Sequence, residues 1–244
     1  MSSPNLVITI LAAGEGKRMR SDIPKVLHLF QGKPILARII ETARQLNPKN
    51  IIVITGRHNQ LIQKTLSEYI SLKDVFFVVQ EKPLGTGDAI KATLSYYHPG
   101  EQVLILNGDM PLIHKNILEQ FIHKRSHMNI LVAKFANPFG YGRIVYNSTG
   151  EFTEIVEEKD CNDLQREIQI VNSGLYYLSA EILIKYIPKI TNANSQQEYY
   201  LTDIVKLVKQ QGNIHIDTFL IGESENKYIS GVNTPEELTA LENL

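Results

Sequence analysis

The chain has 244 residues, 43% apolar and 21% charged, an ordinary globular balance with enough apolar content to bury a sizeable core. Lys and Arg number 25 against 26 Asp and Glu, and a net charge of −1 argues against nucleic acid or an anionic membrane as the main partner. The single cysteine, Cys161, excludes an internal disulfide; with no charged-then-apolar leader and no apolar run near the roughly 20 residues of a membrane span, the expected setting is cytoplasmic.

In chain order, the apolar run 6–11 reads as a buried strand and gives way to Ala12-Ala13-Gly14-Glu15-Gly16-Lys17-Arg18, with Pro24-Lys25 just beyond. Pro34 is expected at the first position of a helix whose stripe is Ile35, Leu36, Ile39, Ile40, Ala43 and Leu46, and Asn47-Pro48 stops it. Strands are expected at 51–54, 75–79 and 103–106. Helices are expected at 61–69, with Leu61, Ile62, Leu66 and Tyr69 on the apolar side, at 88–97, and around 117–122. Such alternation indicates a doubly wound, mostly parallel sheet with helices on both faces. Ligands of such sheets bind outside the carboxyl ends of the strands, where the first basic loop, residues 80–87 and residues 107–109 all lie.

The character changes after about residue 130. Shorter connections link strands expected at 130–135, 142–146, 152–156 and 169–178, an antiparallel or mixed subdomain added to the first half. A helix at 202–209 and a strand at 214–219 follow. Thr234-Pro235-Glu236-Glu237 opens a last helix with an N-cap, an N1 proline and early acids. No linker interrupts the chain, so one domain over 1–244 is expected: about 1–130 as one half, about 131–230 as the other, and a terminal helix at about 234–243.

The bare loop 11–18 allows a close approach of main chain to ligand, and Lys17, Arg18 and Lys25 add positive charge, a combination suited to a phosphate ester. It is neither a P-loop, since Gly16-Lys17 is followed by Arg18, nor a dinucleotide fingerprint, since Gly14-Glu15-Gly16 is followed by Met19 where glycine is required. Taken alone, it also reads as an ordinary βα loop with a solvated basic edge. Asp109 likewise reads as a turn former after Asn107-Gly108, and Asn233 as a residue on the approach to a helix.

Taken together, the motifs resemble those of sugar-1-phosphate nucleotidyltransferases. After Leu11–Met19 with Pro24-Lys25 come Gln80, Leu84-Gly85-Thr86-Gly87 and Asn107-Gly108-Asp109-Met110-Pro111-Leu112. Then follow Gly140-Tyr141-Gly142-Arg143-Ile144, Glu157-Glu158-Lys159-Asp160, Asn172-Ser173-Gly174, Glu198 to Asp203, and Gly231-Val232-Asn233. The resemblance is greatest to the uridyltransferase half of the bacterial bifunctional N-acetylglucosamine-1-phosphate enzymes. It implies a Rossmann-like fold with a nucleotide-binding half and a sugar-side half. The activity it implies is Mg²⁺-dependent transfer of a uridylyl group from UTP to N-acetylglucosamine-1-phosphate. The left-handed β-helix of those enzymes, with its hexapeptide repeats, has no counterpart in this sequence, so acetyltransferase activity is not expected.

The resemblance also implies roles. Arg18 and Lys25 are the catalytic cations, on the β/γ- and α-phosphates respectively. Leu11, Ala12, Ala13, Gly14, Gln80, Gly85 and Thr86 form the nucleotide site. Asn107, Gly142, Glu157, Asn172 and Tyr200 form the sugar site, with Lys159 a weaker candidate. Asp109 and Asn233 hold the Mg²⁺. The implied partners are small molecules, UTP and a sugar-1-phosphate, with oligomeric state left open, a homo-oligomer included. Two alternatives stand beside this reading: the same chemistry on another pair, such as dTTP or UTP with glucose-1-phosphate, and a catalytically silent sensor of nucleotide sugars.

Overall fold

Alternation along the first strand decides the layering. In β1 (Leu6–Leu11), Leu6, Ile8 and Ile10 belong to one buried apolar cluster and Val7 to another, because successive strand side chains point to opposite faces. The computed structural model describes residues 5–123, 126–212 and 214–244. In chain order β1 is followed by β2 (Leu29–Phe30), β3 (Lys33–Pro34), α1 (Ile35–Arg44), β4 (Asn50–Thr55), α2 (Asn59–Ser67), β5 (Val75–Val79), α3 (Thr86–Lys91), β6 (Gln102–Asn107) and α4 (Lys115–Ile122). The second half contains β7 (Met128–Lys134), β8 (Arg143–Tyr146), β9 (Phe152–Val156), α5 (Asp163–Arg166), β10 (Ile170–Ser179), α6 (Ala180–Tyr186), α7 (Asp203–Lys209), β11 (Ile216–Leu220) and α8 (Pro235–Glu242).

A nine-stranded sheet runs β11-β7-β10-β6-β1-β4-β5, with β8 paired to both β10 and β9. Strands β5, β4, β1 and β6 are mutually parallel; β10 is antiparallel to β6 and β7, and β11 is parallel to β7. One face buries Ile35, Leu36 and Ile39 of α1, Ile62 and Leu66 of α2, and Leu118 and Phe121 of α4. The other buries Ile90 of α3, Leu183 of α6, and Ile204 and Val208 of α7. Burial on both faces explains why the parallel strands read as continuous apolar runs.

Several local expectations need correction. Pro34 does not start α1 as its first helical residue; it pairs with Leu29 in a two-strand ribbon and serves as the N-cap position. The helix expected at 88–97 begins at Thr86 and ends at Lys91. A tight turn then follows over Leu94–Tyr96. The buried hydroxyl of Tyr97 is satisfied there by Thr9 at 2.7 Å and Thr93 at 2.9 Å. Leu61 and Tyr69 face solvent, leaving Ile62 and Leu66 to anchor α2. The N-terminus of α8 follows expectation: Thr234 accepts from the Glu237 N–H, with Pro235 in the first turn.

Candidate functional site

The site follows from strand order. Strand β1 has β4 on one side and β6 on the other, so the crossovers leave β1 in opposite directions and open a crevice at its carboxyl end. Leu11 and Asn107, the last residues of β1 and β6, lie side by side in register there. Two clefts meet at this point, of about 730 Å³ and about 310 Å³, and they share Leu11, Thr86, Asn107 and Asp109.

Ala12, Ala13, Gly14, Gln80 and Gly85 line the smaller cleft. Its walls are tightly keyed. The loop 80–87 is fastened to residues 199–201 by Tyr199 N–H to Leu84 C=O (2.8 Å), Gly87 N–H to Tyr199 C=O (2.7 Å) and Leu201 N–H to the Thr86 hydroxyl (3.0 Å). The Thr86 hydroxyl, expected to meet nucleotide, thus also serves as a clasp. Gln80 is buried, and its amide nitrogen donates to Gly85 C=O (3.0 Å) and to Asp88 Oδ2 (2.9 Å).

Lys25 begins a single turn after Pro24. Gly16, at φ +61, lets it come close, since a Cβ there would sit 2.7 Å from Lys25 Cβ. The Lys25 ammonium donates to Asp109 Oδ2 at 2.6 Å and to Asn233 Oδ1 at 3.0 Å. Asp109 follows β6, and Asn233 precedes α8. Val232 N–H to Asp109 C=O (2.8 Å) ties the two loops together, and Asn233 N–H to Glu237 Oε2 (2.6 Å) fastens Asn233 to α8. The sequence therefore converges at one point from residues as far as 208 positions apart. Arg18 is exposed on the wall of the larger cleft and has no hydrogen-bond or ion-pair partner among the described residues, so its fork is free for an anion.

The donor set fits a hard cation. Two oxygens, one carboxylate and one amide, already point at a single positive charge, and few protein oxygens completed by water and phosphate suit Mg²⁺. Among the described residues, no group of three or more His, Cys, Asp and Glu could hold a metal.

Gly142, Glu157 and Asn172 line the larger cleft, together with Tyr141 and Thr202. Arg143, only 2% exposed, pairs with Glu158 at 2.7 Å and donates to the Tyr141 carbonyl, while Glu158 also accepts from Gly140 N–H at 3.1 Å. This buried pair fixes the Gly140–Gly142 wall, a positioning role that the sequence reading missed although Arg143 sits inside a quoted motif. Asn172 is partly committed: its amide donates to the buried Tyr176 hydroxyl at 2.7 Å and accepts from Gly174 N–H at 3.0 Å. Asn107 donates to Ser173 C=O at 3.0 Å, against the irregular stretch of β10. Gly174 is required there, since at φ +81 a Cβ would lie 2.5 Å from Asn107 Nδ2. Gly174→Ala is expected to destabilise the fold by about 1–3 kcal/mol through backbone strain, read as a lowered denaturant midpoint with unchanged slope.

Tyr200 is not brought into this cleft. It is buried behind Glu157, in a separate pocket, and its hydroxyl accepts from Gln196 at 2.9 Å. Lys159 is exposed and lines neither cleft.

Burial raises the Glu157 carboxyl above its ordinary range, with Asp203, Asp160 and Glu198 adding to the shift, and the Thr202 hydroxyl bond at 2.9 Å opposes it. The folded state thus holds the proton more tightly than the unfolded chain. This contribution favours folding at low pH and is lost as pH rises from about 4.3 through the folded value. Glu157→Gln is expected to abolish that slope, giving a higher melting temperature than wild type at pH 7 and the same one near pH 4.

Comparison with known proteins decides the family: residues 8–169 match the family profile of the MobA-like NTP transferase domain. The chain belongs to that family. It is a nucleotidyltransferase, and its substrates are accordingly small molecules. A probable UDP-N-acetylglucosamine pyrophosphorylase of Acanthamoeba polyphaga mimivirus is 39% identical over 99% of this chain and 97% of its own length. The bifunctional protein GlmU of Nitrosococcus oceani is 39% identical over 96% of this chain. This chain spans only 51% of that protein. Among solved structures, a putative glucose-1-phosphate thymidylyltransferase from Bacillus anthracis, in complex with sucrose, superposes with a TM-score of 0.74 at 17% identity, covering 98% of this chain and 94% of that one. HddC from Yersinia pseudotuberculosis, complexed with GMP-PN, does so with a TM-score of 0.66 at 22% identity, covering 97% and 98%. These confirm the mostly parallel α/β fold. Members of the family generally use a divalent metal. No helix among the described residues is long and apolar enough to cross a membrane.

Proposed function

We propose that the protein transfers a uridylyl group from UTP to N-acetylglucosamine-1-phosphate, releasing pyrophosphate. The observation that carries this reading is the meeting of Lys25, Asp109 and Asn233 where the two clefts join, the place at which an α-phosphate bridging a nucleotide and a sugar would sit. The identity to the mimivirus protein over nearly both full lengths supports the choice of substrates.

A sugar-phosphate oxygen forms the new bond to the α-phosphorus as the bond to the bridging oxygen of pyrophosphate breaks in line. The nucleophile is already an anion, so the protein needs no strong base and contributes position and charge. Lys25 meets the charge gathering on the α-phosphate, and Arg18 grips the β/γ-phosphates as they leave. The bare backbone of Leu11 to Gly14, with Gln80, Gly85 and Thr86, holds the nucleoside. Asn107, Gly142, Glu157 and Asn172 hold the sugar, with Glu157 able to donate as well as accept when protonated. Asp109 and Asn233 would hold Mg²⁺, which would offset the negative charge of the phosphates.

The test is pyrophosphate release with Mg²⁺, crossing UTP, dTTP, CTP, ATP and GTP against N-acetylglucosamine-, glucose- and glucosamine-1-phosphate. Greatest turnover with UTP and N-acetylglucosamine-1-phosphate is the expected result. A different best pair overturns the substrates, and no release with any pair overturns the reaction.

A further inference from the structure

Gln80 can present only one face of its amide to the nucleotide cleft. Both hydrogens of its nitrogen are committed, to Gly85 C=O at 3.0 Å and to Asp88 Oδ2 at 2.9 Å. A carbonyl and a carboxylate accept and do not donate, so turning the amide over would set its oxygen against two acceptors. The Gln80 oxygen has no bonding partner among the described residues, yet it is not sealed from solvent, and the residue lines the smaller cleft. Both partners are themselves held. Gly85, at φ +113, packs so closely that a Cβ would lie 2.6 Å from Tyr199 C=O, and Asp88 sits in α3 immediately after the Thr86-Gly87 clasp.

We infer that Asp88 is a specificity-positioning residue: it locks Gln80 so that a bare acceptor faces the nucleobase, selecting a base that offers an N–H over one that offers a lone pair. Uracil and thymine carry a hydrogen on N3, whereas cytosine carries a lone pair there. A buried site built around one hydrogen-bond pattern rejects the analogue that cannot complete it. The Gly85 carbonyl alone leaves the second hydrogen of Gln80 and its tilt unrestrained; Asp88 supplies the charge-assisted half of the lock. This inference rests on the reading of the smaller cleft as the nucleotide site.

The experiment compares wild type, Asp88→Ala and Asp88→Asn in pyrophosphate release with UTP and with CTP, each with N-acetylglucosamine-1-phosphate. Asp88→Ala is expected to lower the ratio of kcat/KM for UTP over CTP by about tenfold, chiefly through KM for UTP, with KM for the sugar phosphate unchanged. Asp88→Asn, which keeps an acceptor oxygen, retains more of the preference than alanine does. An unchanged ratio, or equal losses with both nucleotides, overturns the inference, since a merely structural residue would weaken both alike. If wild type turns over neither nucleotide, the proposed reaction fails. Calorimetric binding of UMP against CMP to the same three proteins then decides on Asp88 by the same ratio.

Discussion

Asp109→Ala is expected to lower kcat about a hundred- to thousandfold at ordinary Mg²⁺ concentrations while leaving the protein folded. The carboxylate is the only charged oxygen of the pair that converges on the Lys25 ammonium, and the Asn233 amide is a weak ligand for a hard cation on its own. Loss of one preorganised electrostatic element at the reacting phosphate is worth about 3–4 kcal/mol in other transfer enzymes. The stability cost is small by comparison. Lys25 keeps its bond to Asn233, and a partly exposed ion pair contributes about 0–1 kcal/mol. Backbone contacts hold the loop regardless of the side chain, through Val232 N–H to Asp109 C=O and Gly108 N–H to Leu11 C=O, both at 2.8 Å. Turnover measured across a Mg²⁺ series, beside a thermal melt, separates the two effects. Activity near wild type at ordinary Mg²⁺ takes Asp109 out of the metal site, and a collapsed melting temperature makes it structural.

The fold was legible where a residue's job is local. Thr234 and Pro235 announce α8 because capping is decided within one turn, and the apolar runs of β1, β4 and β6 announce buried parallel strands because both faces are covered. Local preference misleads where a partner outside the helical turn overrides it, whether near or far in the chain. Pro34 is drawn into a ribbon with Leu29, and Tyr97 is held by Thr9, which stands 88 positions away on β1. Helix α6 follows β10 without a break. Its seven residues are too few to show a helical stripe against the apolar end of the strand, so the strand's end is legible and the helix is not.

The site shows the same division. Loop 11–18 suggests a phosphate-binding role by its missing side chains and its charge, which are local properties. That Asn233 joins Lys25 and Asp109 is visible only through the order of motifs shared with related enzymes, since nothing in its neighbourhood separates it from an ordinary helix approach. Tyr200 is less legible still: a shared motif suggests contact with a sugar, while in the structure its hydroxyl meets Gln196 and the residues beside it clasp Thr86 and Gly87 through the backbone.

Lys25→Met is expected to change two measurements in opposite directions. Methionine keeps the length of the side chain and removes its charge, so the turn over Lys25–Leu27 retains its packing. The rate falls about a hundred- to thousandfold, because the α-phosphate loses the cation aimed at it. Metal affinity, by contrast, rises. In the structure the ammonium occupies the point on which the Asp109 and Asn233 oxygens converge, at 2.6 and 3.0 Å, so a divalent ion using those two oxygens would have to displace it. Releasing a partly buried pair of this kind costs about 1 kcal/mol, so its removal tightens binding about fivefold. Titration of the free protein with Mn²⁺, followed by water proton relaxation without any nucleotide, reads this step apart from turnover. Slower turnover with tighter Mn²⁺ binding places Lys25 as a charge that moves from the metal ligands to the substrate. Unchanged Mn²⁺ binding confines Lys25 to the substrate, and weaker binding makes it a brace that holds the two ligands together.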